Sequence, residues 1–166
     1  MSKLINIVFL DMDGVVCNPR ACIAMGNKGI SSYLDPIACM LVKRLCVENN
    51  ARIVMSSAWR GMYNKHALEA ILNAACPGLG DLIIEDEVWW KTRSWVHSDD
   101  DKNTSDRGRE IEHWIFNNIT RFNNYVILDD MHDMRPLQDN LVRCSTYDGI
   151  GFFQWEEADK ILKAYP

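Results

Sequence analysis

The apolar run Ile5-Asn6-Ile7-Val8-Phe9-Leu10 stops at Asp11-Met12-Asp13-Gly14. A short, β-branched run that ends at a turn signal predicts a buried strand. Two carboxylates at the end of such a strand cost free energy unless something binds them. A hard cation would do so, since Mg²⁺ takes oxygen ligands and commonly one or two protein carboxylates. Gly14 permits a sharp turn and lets backbone N–H groups approach an anion. Taken alone, the same residues also fit an ordinary Asp-Gly turn.

The pattern recurs along the chain. Arg52 to Met55 is a second short apolar run, closing on Ser56-Ser57, and Tyr125 to Leu128 is a third, closing on Asp129-Asp130 with Asp133 close behind. Helices are expected between them. Asp35 is a good N-cap and Pro36 suits the first position of a helix reaching residue 48. A second helix is predicted over 64–76, stopped by Pro77-Gly78, and a third opens at Asp106 with Ile111, Trp114 and Ile115 inward. A closing helix is predicted over 155–165. Leu82 to Ile84 and Leu141 to Cys144 are expected as short strands. Segments 17–33 and 85–105 fit no regular element, and neither is long enough for a sizeable cap. Strands alternating with helices predict an α/β fold: one Rossmann-like parallel sheet, covered by helices on both faces, in a single domain over 1–166. Ligands of such sheets bind beyond the carboxyl ends of the strands. Asp11, Asp13, Ser56 and Asp129 all fall there.

Composition sets outer bounds. With 48% hydrophobic and 25% charged residues, the chain is an ordinary globular sequence. Its net charge of −5 argues against a general polyanion binder. The N-terminal apolar run is too short for a signal peptide and no stretch suits a membrane span, so a cytoplasmic protein without membrane partners is expected. The six cysteines show neither Cys-x-x-Cys nor zinc-ligand spacing, which favours buried free thiols. Cys17 is the one near the proposed site.

The order Asp-x-Asp, strand-end Ser, basic helix start, Asp-Asp resembles the four-motif pattern of the haloacid dehalogenase (HAD) superfamily of phosphatases. Within it, Ser56-Ser57-x-Trp59-Arg60, the stretch Arg107-Gly-x-Glu-Ile-x-x-Trp114 and Val-Ile-Leu-Asp129-Asp130 followed by Asp133-Met134 resemble the HAD domains of Swiss Army Knife RNA repair proteins. The resemblance implies that Asp11 is a nucleophile forming an aspartyl-phosphate, with Asp13 as general acid and then base. It implies Mg²⁺ held by Asp11, the Asp13 carbonyl and Asp129, supported by Asp130 and Asp133. Ser56 would donate to a phosphate oxygen, and Arg107, ahead of Arg109, would stabilise the transferring phosphoryl group. Many superfamily members carry Lys in that place, so the Arg is a departure. Ser57, Trp59, Arg60 and Arg109 are candidate substrate contacts, Trp59 by stacking.

The activity so implied is that of a Mg²⁺-dependent phosphomonoesterase, a hydrolase. A small phosphorylated substrate, a nucleoside monophosphate or similar, is placed ahead because of the acidic charge. The alternative is a 3′- or 5′-phosphatase on RNA or DNA ends, and a second alternative is a catalytically silent binding domain on the same fold. No obligate protein partner is inferred. Trp89, Trp90 and Trp95 lie beside Lys91 and Arg93, and packing is favoured over base stacking because Asp99-Asp100-Asp101 follow.

Overall fold

A computed structural model describes residues 4–26, 33–93 and 106–164. The β-branched runs form the strands: β1 (Ile5–Leu10), β2 (Ala51–Met55), β3 (Phe122–Asp129) and β4 (Leu141–Arg143). They make one parallel sheet in the order β2-β1-β3-β4, with Val8 opposite both Ile53 and Val126. Strand side chains alternate between faces, and the two faces carry two separate cores. Val8, Leu10, Ile53, Met55, Val126 and Leu128 pack against α2 (Pro36–Glu48), α4 (Lys65–Ala75) and α6 (Phe152–Lys163). Ile7, Phe9, Val54 and Ile127 pack against Ile111 and Trp114 of α5 (Asp106–Asn118). The α/β fold with helices on both faces is as expected.

Helix boundaries follow local chemistry. Asp35 Oδ1 accepts the N–H groups of Ile37 and Ala38, and Asn64 Oδ1 accepts that of Ala67. These caps satisfy donors that the first helical turn leaves open. Other expectations need correction. Segment 17–33 contains a helix, α1 (Pro19–Met25), capped by Asn18 and closed by Gly26 at φ 72°. Residues 80–82 form a 3₁₀ turn, and Ile83 makes a single bridge to Ile53, so 82–84 is not a strand. Asp106 is the first residue of α5 and not its cap. The last helix starts at Phe152, three residues early, while Tyr165 lies outside the described residues, as do Trp95, His97 and Asp99 to Asp101. The remaining turn, α3 (Trp59–Met62), directly follows the β2 serines.

All six cysteines are free thiols. Burial first, and then the Asp13 carboxylate, push Cys17 up to about 12, which makes it a poor nucleophile. Among the described residues no helix is long and apolar enough to cross a membrane.

Candidate active site

The carboxyl ends of β1, β2 and β3 converge with the start of α5. The Asp11 N–H donates to Leu128 O, and the Ser56 N–H to Leu10 O, so the sheet ladder itself sets the three strand ends side by side. After Asp11 the chain winds into a turn in which Met12 O accepts the N–H groups of Val15, Val16 and Cys17. Gly14 sits at φ 73°, and a Cβ there would overlap the Asp130 carboxylate. Both facts require glycine at this position.

Asp11, Asp129 and Asp130 each bring one carboxylate oxygen to within 4.8 Å of the others. Asp129 is fully buried and Asp11 is 7% exposed. Asp129 Oδ1 accepts the Met131 N–H at 2.9 Å, and Asp130 Oδ2 accepts the Thr146 hydroxyl at 2.7 Å. The Arg107 guanidinium bridges two of the three, with Nη1 3.3 Å from Asp11 Oδ1 and 3.2 Å from Asp129 Oδ2. Burial raises the Asp11 carboxyl, against the pull of Arg107, the Ser57 hydroxyl and the Met12 N–H. Burial and the Asp11 charge raise Asp129 to about 6, again against Arg107. One guanidinium does not neutralise three gathered carboxylates. An all-oxygen donor set with surplus negative charge fits a hard dication.

The two serines differ in their surroundings. The Ser57 hydroxyl helps to draw Asp11 down, while Ser56 Oγ is buried with no hydrogen-bond partner among the described residues. Asp13, the exposed residue of the motif, lies outside the carboxylate trio, and its Oδ2 accepts the Trp59 indole N–H at 2.8 Å.

Four of the expected contacts stand apart from the carboxylate trio or are engaged elsewhere. Arg60 is 7% exposed and spent on structure: Nε donates to Thr92 O, Nη1 to Ser56 O and Ser57 O, and Nη2 to Glu110 Oε2 at 2.6 Å. A guanidinium so engaged has little left for a substrate. Trp59 is 5% exposed and presents no open stacking face. Asp133 pairs with Arg135 at 2.7 Å, which with the Arg135 N–H draws it down to about 2, and it stands outside the trio. Arg109 lies about 200° around α5 from Arg107, on a different side of the helix. Trp90 is buried against the sheet, its carbonyl accepting the Met55 N–H, and the Trp89 carbonyl accepts the Trp114 indole, so these tryptophans pack.

Residues beyond the expected set also shape the site. Glu110 ties Arg60 to Arg107, whose Nε lies 3.7 Å from Glu110 Oε2. Its signal was the i, i+3 spacing from Arg107 on one helix face. Thr146 left no signal, because its contact with Asp130 comes from a loop after β4.

The family described as the HAD domain in Swiss Army Knife RNA repair proteins matches residues 7–151. The chain belongs to this family. Searches of curated proteins and of solved structures found no match. The HAD match covers β2, β3, β4, all but the first two residues of β1, and every site residue named above. It supports a phosphatase-type or RNA repair role.

Proposed function

We propose that this HAD domain is a Mg²⁺-dependent phosphomonoesterase that works through an aspartyl-phosphate. The observation that carries the reading is the gathering of Asp11, Asp129 and Asp130 under Arg107. Asp11, Asp129 and Asp130 would hold the cation, which when bound neutralises phosphate charge and favours in-line attack. Asp11 attacks phosphorus and becomes phosphorylated as the P–O bond to the leaving group breaks. Asp13 gives its proton to the departing alkoxide. It then takes a proton from water, which attacks the acyl-phosphate and returns Asp11 and free phosphate. Arg107, already on Asp11, and the strand-end serine hydroxyls would bind the phosphoryl oxygens. Ser56, whose buried hydroxyl has no partner among the described residues, keeps its expected place as a donor to phosphate.

A cleft of about 410 Å³ opens beside Arg107, with Ala58, Gly61, Asp106 and Met131 among its lining. Arg60 and Glu110, also on its wall, neutralise one another. Small, apolar and acidic walls suit a compact, uncharged leaving group such as a nucleoside. A terminal phosphate on RNA or DNA is the second reading, favoured by the repair family to which the chain belongs. Phosphate release should be measured on nucleoside monophosphates and on 3′- and 5′-phosphorylated oligonucleotides, with Mg²⁺ and with chelator. Mg²⁺-dependent turnover is expected on the mononucleotides. Flat rates throughout would leave a silent binding domain.

A further inference from the structure

Asp13 is exposed, on a turn, and its side chain would sample several rotamers if nothing held it. The Trp59 indole holds it, beside the Cys17 thiol. The indole is 5% exposed, packs in the main core and touches the Tyr63 ring at 5.6 Å between centroids. Its Nε1–H donates to Asp13 Oδ2 at 2.8 Å. Its backbone N–H donates to Ser57 Oγ at 3.3 Å. One buried residue therefore touches the side chains of Asp13 and Ser57, which come from two different strand ends. An indole N–H only donates, so Oδ2 acts as an acceptor in this contact.

We propose that Trp59 is a positioning residue that fixes the Asp13 carboxyl so that its other oxygen delivers the proton to the leaving group. The inference rests on Asp13 being the general acid of the proposed reaction. Its burial removes Trp59 from the stacking role that its neighbourhood suggested.

The test is leaving-group dependence. p-Nitrophenyl phosphate expels a stable phenolate and needs little proton transfer, whereas an alkyl phosphate such as a nucleoside 5′-monophosphate needs it. kcat/KM reports the step in which that group leaves Asp11's phosphoryl target. For Trp59→Phe, which keeps a ring and loses the donor, kcat/KM should fall about tenfold or more on the alkyl ester and less than about threefold on the aryl ester. If the phenylalanine variant does not fold, β-(3-benzothienyl)alanine at position 59 replaces only N–H by sulfur and should give the same split. Asp13→Asn should show the split more strongly. Equal losses on both esters, or no loss, with an Asp13→Asn split intact would overturn the role of Trp59 alone. Absence of the split in Asp13→Asn would remove Asp13 as the acid and the inference with it.

Discussion

The buried Arg60 shows how a residue's type misleads when its partners are unseen. Beside Ser56-Ser57 it reads as a phosphate contact, yet it pins the carbonyls of both serines and of Thr92 and meets Glu110 inside the protein. Removing one partner of a buried pair strands the other charge. Arg60→Met should therefore lower unfolding free energy by about 3–5 kcal/mol, read from the urea midpoint, and Glu110→Leu in the same chain should recover much of it. A surface-like cost below about 1 kcal/mol would mean that the pair is solvated. Asp11→Asn is the opposite case. The amide is nearly isosteric, so the far-UV circular dichroism should match the parent while phosphate release disappears. Turnover near the parent level would remove Asp11 as nucleophile. The carboxylates were legible in the sequence because a buried strand end seldom carries Asp without a purpose. The roles of Ser57, Trp59 and Arg60 were not, since they depend on contacts across strands.

At the scale of elements, boundaries were legible wherever cap and apolar stripe agreed. Asp35-Pro36 before Ala38, Val42 and Leu45 marks α2, and Asn64 before Leu68 and Leu72 marks α4. Asn18-Pro19 carries the same cap chemistry, but only Ala21 of α1 is buried and Ile23 is 83% exposed, so no stripe announced it. The cap of α2 can be titrated. Burial alone would raise Asp35, but Arg20, Asn18 and the Ala38 and Ile37 N–H groups outweigh it and hold the carboxyl below its ordinary 3.8. A lowered carboxyl stabilises the fold above its unfolded value and loses that contribution as pH falls through the folded one. Asp35→Ala should cost about 1–2 kcal/mol at pH 7. The gap between the two urea midpoints should stay level down to pH 5 and narrow below about pH 4. A gap unchanged at pH 3 would show that the charge contributes nothing.

For the whole molecule, net charge bears on the choice between a mononucleotide and a nucleic-acid end. A mononucleotide offers one phosphate to Arg107, so its kcat/KM should vary little with salt at −5 overall. An RNA end that used further lysines and arginines would bind with a salt slope proportional to the phosphates neutralised. Steep loss of oligonucleotide turnover between low and high salt, alongside preference for it at low salt, would promote the repair reading. Mg²⁺ at 100 times its dissociation constant should add about 2.7 kcal/mol and raise the melting temperature, and EDTA should reverse this. A melting temperature indifferent to both would sink the cation assignment. The sheet order has a consequence for synthesis. β1 pairs early with β2, but its other edge waits for β3, where Ile5 meets Phe122. A ribosome that has delivered only the first hundred residues holds a strand with one open edge of unpaired backbone groups and one of the three clustered carboxylates. Until β3 arrives, such an open edge is a template for misassociation during translation.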